Sequence, residues 1–276
     1  MLEGALRPAF TLSAIALSFA VLTTTLEFFS LRNEFERGVF SWRVLQTFSL
    51  RAHSRLTLLL RDAMFGQRGM AAILGVRLLS AAALCVGALL FDRVTCMCAL
   101  AGVFTTSLLL TYRCRIGLEG ADIMAIILAA GLFVCLVRFS PGIWTTMGFG
   151  FIASQSCLSY FTAGTAKLFS SQWRGGSAVY KIVNTETYGS ESVALFLQRS
   201  PRLSFAASWT IILFEITFPL ALVVPSGVAL AIVLAGIVFH AVNAALMGLN
   251  GFLWAFVATY PAVWYCHLLI GTFLGR

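Results

Sequence analysis

The stretch IWTTMGFGFIASQSCLSYFTAGTAKLFSSQWRGG, Ile143 to Gly176, decides how this chain is read. A long apolar segment opens at Ile143, after a Pro141-Gly142 turn, and ends on a lysine. Lys167 is followed six residues later by Trp173, an aromatic residue typical of membrane interfaces, and then by Gly175-Gly176. It is one of two lysines in a chain whose positive charge is otherwise arginine. An arginine would anchor a helix end as well and would stay charged. A desolvated lysine can lose its proton and act as a base. On spacing alone, the plainer reading is a lysine snorkelling beside a belt tryptophan.

Composition sets the class. Hydrophobic residues are 59% and charged residues 11% of 276 positions, with a mean hydropathy of +0.91. A soluble domain carries roughly 25% charge, so this is a bilayer protein. The net charge of +8 comes without any solvated basic segment, which excludes a nucleic-acid partner and leaves orientation and anionic lipid as its uses.

Working outward, the expected fold is all-α: a polytopic transmembrane bundle of about eight spans with interfacial amphipathic helices, forming one domain over 1–276. The spans are read at Phe10–Leu26, Met70–Phe91, Cys96–Tyr112, Ile123–Val137, the Ile143 helix, Leu203–Val224, Gly227–Gly248 and Phe252–Phe273. No cleavage pattern follows the first run, so it is read as a retained span. Between Ser30 and Gly69, seven arginines are spread among aromatic and aliphatic residues, as in helices lying in the headgroup plane; a lid over a membrane-embedded site has the same pattern. A second interfacial segment is expected over about 170–202. Loops on the Lys167 side hold fourteen Lys and Arg against four on the other, which puts that side in the cytoplasm.

Inside the spans lie the groups that could do chemistry: Lys167, Glu215, His240 and Asn243, with Arg77 and Asp122 as outliers. His240 and Asn243, three residues apart, share a helix face. Arg77 either faces a partner in the bundle or snorkels, and Asp122 suits a helix cap. Tyr260-Pro261 marks a kink in the last span. Cysteines inside apolar spans behave as small hydrophobes, and Cys96-Met97-Cys98 lacks the C-x-x-C spacing of a thiol–disulfide site. Three scattered histidines make neither a haem pair nor a closed zinc site, so no metal is expected. There is no phosphate-binding loop, nucleophile elbow or strong internal repeat.

Two stretches carry a family resemblance. YFTAGTAKLFSSQWRGG (160–176) resembles a helix end of the vitamin K-dependent γ-glutamyl carboxylases and their bacterial relatives, the HTTM membrane proteins. FHAVNAALMGLNGFLWAFVATYP (239–261) resembles a later helix of the same family, with His and Asn at H-x-x-N before Gly-Phe and Pro, and Glu215 lies between the two. The resemblance covers much of 140–265. It implies Lys167 as the base that deprotonates a reduced, vitamin K hydroquinone-like quinone, with His240 and Asn243 in the same catalytic cavity. Trp173, Glu215 and Tyr160 are then expected around the cofactor, and oxygen and carbon dioxide are expected co-substrates. Glu215 would orient His240 or pair with Arg77.

The animal enzymes carry two adjacent lysines where this chain has Ala166-Lys167, and no counterpart of their other catalytic histidine is found. The chain also ends where those enzymes continue into a large extramembrane region. Its length and GLEGAD segment (117–122) resemble the small bacterial members, including the membrane component that matures a sporulation-delaying peptide toxin. A bacterial inner (cytoplasmic) membrane location, contact with membrane lipids, a peptide substrate and a small partner protein are the matching expectations. The alternative is a non-catalytic factor for maturation, export or immunity of a peptide toxin.

Overall fold

A computed structural model describes residues 2–31, 33, 42, 61–114, 120–185 and 189–275. Most of the arginine-rich segment expected at the interface, 30–69, and the first half of the GLEGAD segment, 117–119, lie outside the described residues. Among the described residues there is no strand, and the chain runs as α-helices with one 3₁₀ turn. The all-α bundle is what the composition requires, because a helix satisfies its own backbone hydrogen bonds in lipid.

Helix α1 (Leu2–Ser30) packs against α2 (Gln67–Leu90), α4 (Gly120–Val137) and two later helices, α11 (Asn250–Val257) and α12 (Tyr260–Phe273). Helix α3 (Arg93–Arg113) follows α2 through a two-residue turn. Phe91 adopts a left-handed conformation there, and Asp92 caps α3 by accepting a hydrogen bond from the Val94 amide at 3.2 Å. Helix α5 (Ile143–Phe169) is the longest element after α1 and lies among α4, α12 and α9 (Pro201–Thr217). Between α5 and α9 come three short helices, α6 (Ser171–Arg174), α7 (Ser177–Val183) and α8 (Glu191–Arg199), over the second segment expected at the interface. A 3₁₀ turn, Phe218–Leu222, extends α9, and α10 (Ser226–Met247) leads to α11 and α12.

Among the described residues, seven helical stretches are long and apolar enough to cross a membrane: α1 to α4, α9 with its 3₁₀ turn, α10, and α11 with α12. Expectation and structure part at α5. Its 27 residues give about 40 Å of helix, ample for a bilayer. Yet Ser154, Gln155, Ser156, Ser159, Thr162, Thr165 and Lys167 leave it outside those seven. Part of that polarity is met by neighbouring helices, as where the buried Ser156 hydroxyl lies 2.9 Å from the Thr259 hydroxyl between α11 and α12, and part within α5 itself, as where Ser154 and Thr162 donate to the Phe151 and Leu158 carbonyls.

The kink expected at Tyr260-Pro261 is seen as a two-residue turn, Ala258 and Thr259, between two helices. Helix α11 stops at Val257, and Pro261, in the first turn of α12, lacks the amide that would continue it. Leu79, Leu89, Leu90 and Phe273 point outward, as side chains against lipid do. The apolar helices and their outward aliphatic surface make this an integral multi-pass membrane protein.

Arg77 faces inward and is 1% exposed. Its guanidinium donates to the Ser107 hydroxyl at 2.5 Å and to the Thr24 hydroxyl at 3.3 Å, and Asp122, in the first turn of α4, is within electrostatic reach. The arginine thus resides in the bundle with partners from three helices rather than snorkelling. It is not the partner of Glu215.

Candidate functional site

Tyr160, Gly164 and Lys167 fall at i, i+4 and i+7 on one face of α5. Gly164 sets the geometry of that face. A Cβ there would come within 2.8 Å of the Ile216 amide nitrogen and 2.9 Å of the Glu215 Cβ, so only glycine lets α9 approach this closely. One turn further on, Lys167 meets the side chain that this approach delivers. Its Nζ donates to both carboxylate oxygens of Glu215, at 2.8 and 2.7 Å. The Glu215 side chain is 5% exposed and the Lys167 side chain 21%, so the carboxylate is the deeper partner.

The expectation that Glu215 orients His240 or pairs with Arg77 is therefore replaced by a Lys167–Glu215 ion pair. The reason lies in tertiary packing: the two residues are 48 positions apart, and their helices are drawn together by a glycine.

The Trp173 ring centroid lies 5.2 Å from the Lys167 Nζ, within cation–π range. The turn that carries the ring is fastened to α9 at two points. Trp209 donates from its indole nitrogen to the Arg174 carbonyl at 3.2 Å, and the Ser204 hydroxyl donates to the Gly176 carbonyl at 2.5 Å. Gly176 has φ +79°, and a Cβ there would fall 2.6 Å from the Phe205 Cα, so the turn needs glycine on both counts. Lysine, carboxylate and indole thus form one small constellation at the end of α5.

The second constellation sits seven residues back, about 10 Å along the helix. The Tyr160 hydroxyl lies 2.7 Å from Nε2 of His240 and 2.6 Å from the Tyr260 hydroxyl. The Tyr160 ring stacks on Phe218 at 4.0 Å, and the His240 ring stacks on Phe256 at 4.5 Å with a 19° interplanar angle. Tyr160, Tyr260 and His240 are all buried. Nδ1 of His240 is buried without a hydrogen-bond partner.

Of the six candidates from the sequence, Lys167, Glu215 and Trp173 come together in one group. Tyr160 and His240 join in the other, with Glu215 within electrostatic reach of Tyr160. Asn243 is half-buried one turn beyond His240 and makes no hydrogen bond among the described residues. Sequence reasoning missed Tyr260, which it treated only as a kink neighbour, and Gly164. A phenol directly before a proline in an apolar span was the available signal for the first. A glycine three residues before the lysine was the signal for the second.

Chemically, the first constellation can hold, give or take a proton at the edge of a low-dielectric region, and the second can present a hydrogen-bonding imidazole. No group of three or more His, Cys, Asp or Glu side chains that could hold a metal ion occurs among the described residues. Compared with known proteins, residues 142–267, which contain both constellations, match the family model described as the HTTM domain. No curated protein and no solved structure matches the chain.

Proposed function

We propose that this HTTM-domain protein is a carboxylase-like membrane enzyme that oxidises a reduced quinone with oxygen and couples the oxidation to modification of a peptide or small substrate. The observation that carries the reading is the partly exposed Lys167, paired with a buried carboxylate and faced by an indole ring.

As an ammonium, Lys167 has no lone pair to offer. Transfer of one proton to Glu215 leaves a neutral amine and a neutral acid, a form that a low-dielectric site tolerates better than separated charges. The amine can then take a proton from a substrate hydroxyl, becoming an ammonium beside the new oxyanion. Glu215 acts as the proton store, and the 21% exposure of the lysine side chain leaves it accessible.

The residues suit a quinol. Trp173 offers a flat ring to a bicyclic headgroup, Lys167 offers the base, and the unpaired Nδ1 of His240 offers a polar contact to an oxygen. A bound reduced quinone supplies the hydroxyl and the reducing electrons. Carbon dioxide enters as a further substrate where the modified group is a glutamate. The setting that fits is a bacterial inner membrane, with a small partner protein and a peptide that matures into an antimicrobial toxin.

One observation favours a second reading. A carboxylate that grips the lysine with both oxygens also ties α5 to α9, as a structural strut would. Under that reading the protein is a non-catalytic factor for toxin maturation, export or immunity.

The test uses purified protein in nanodiscs with a reduced naphthoquinone and oxygen, following quinone epoxide by mass spectrometry. Turnover lost in Lys167→Ala and Lys167→Arg, with naphthoquinone still bound, supports the base. Turnover unchanged in both refutes it. Absence of both turnover and naphthoquinone binding in the wild type favours the maturation factor.

A further inference from the structure

The Tyr160 oxygen stands between two partners, Nε2 of His240 and the hydroxyl of Tyr260, at 2.7 and 2.6 Å. A phenol has one proton to donate, and a neutral imidazole has one N–H and one acceptor nitrogen. Three arrangements make hydrogen bonds of both contacts. In the first, Tyr260 donates to Tyr160 and Tyr160 donates to Nε2; the only group left over is the N–H at Nδ1. In the second, Nε2–H donates to Tyr160 and Tyr160 donates to Tyr260, which strands the Tyr260 proton and leaves the Nδ1 lone pair unused. In the third, Tyr260 and Nε2–H both donate to Tyr160, stranding the Tyr160 proton and again the Nδ1 lone pair. Buried unsatisfied polar groups cost free energy, so the arrangement with one is favoured over those with two. The stack of His240 on Phe256 fixes the ring plane, and with it the direction of Nδ1.

We infer that Tyr160 is a positioning residue that holds His240 as the Nδ1–H tautomer, with Tyr260 donating to the Tyr160 oxygen, so that His240 presents a single N–H donor to a carbonyl or oxyanion oxygen of the bound substrate. The inference rests on the proposed function for the identity of that substrate, but not for the tautomer. It gives the buried Tyr160 hydroxyl a task that packing alone does not explain: a phenyl ring would fill the same space without it.

The experiment is nitrogen NMR of the full chain in nanodiscs with [¹⁵N]histidine, His240 being assigned by the resonances lost in His240→Gln. Long-range ¹⁵N–¹H couplings distinguish the two tautomers. The wild type shows the Nδ1–H pattern, and Tyr260→Phe keeps it because Tyr160 still donates. Tyr160→Phe loses the single-tautomer pattern. A wild-type ring protonated at Nε2 overturns the inference, and this result needs no variant to fold. A folded Tyr160→Phe protein with unchanged couplings overturns it as well. Added 2-methyl-1,4-naphthoquinone moves the Nδ1 resonance. A bound naphthoquinone that leaves Nδ1 unmoved refutes the donor role. An intact Nδ1–H pattern in a protein that binds no naphthoquinone supports the positioning and refutes the quinone reading instead.

Discussion

Replacing Lys167 with methionine removes the only charge paired with Glu215 among the described residues and leaves a carboxyl group that is 5% exposed. The size of the effect is bounded by a simple escape: the carboxyl can take up a proton. Protonating a glutamate of ordinary pKa 4.3 at pH 7 costs about 3.7 kcal/mol, at 1.36 kcal/mol per pH unit. The variant therefore loses at most about 4 kcal/mol at pH 7 and roughly 1.4 kcal/mol less at pH 6. The sign follows from linkage. In the variant the folded state keeps a proton that the unfolded state releases above its own pKa, so the penalty grows as pH rises.

Glu215→Gln behaves differently. The lysine it strands is 21% exposed and stays against Trp173, so it reaches water at a cost of about 1 kcal/mol. Lys167→Met/Glu215→Gln, with neither charge, lies within about 1 kcal/mol of the wild type. Equilibrium unfolding in bicelles at the two pH values measures all four proteins. A Lys167→Met penalty that ignores pH, or one equal to that of Glu215→Gln, refutes the description of a deep carboxylate under a shallow lysine.

Other perturbations probe the frame around the pair. Gly164→Ala forces α5 and α9 apart by a few tenths of an ångström, costing about 1–3 kcal/mol in unfolding measurements, and lowers turnover in the epoxide assay. Ser107→Ala removes a charged hydrogen bond from buried Arg77 and costs about 2 kcal/mol. Arg77→Met added to it recovers part of that loss, as measured by the same unfolding titration. Asp92, between α2 and α3, is held below the ordinary carboxylate range, mainly by the Thr95 hydroxyl and also by the Val94 and Thr95 amides. Its contribution is present above the unfolded carboxyl pKa and is lost as pH falls through the lower folded value. Asp92→Ala therefore lowers the melting temperature at pH 6, and the difference from wild type shrinks in acid.

The membrane class was legible because hydropathy is a local property, and seven of about eight expected spans are apolar along their own length. The kink at Pro261 was visible for the same reason, since proline acts on its own backbone. Pairing was not legible. Glu215 had three basic or imidazole groups within plausible reach, and the choice among them was made by Gly164, one of 23 glycines, marked in the sequence only by its place three residues before the lysine. Tyr260 looked like a neighbour of a proline because its role depends on Tyr160, 100 residues away on another helix. Lys167 and Trp173 were legible because both lie in one stretch of chain, whose end the short α6 turn folds back on itself.

The polarity of α5 bears on how the protein is made. A helix emerging from a ribosome partitions into lipid according to its own apolar content, and α5 has less of it than its seven neighbours. Its lysine is neutralised only when Glu215, 48 residues later, has been synthesised and has docked. The ion pair of the candidate site therefore closes only after α9 has been made, 48 residues after the lysine of α5.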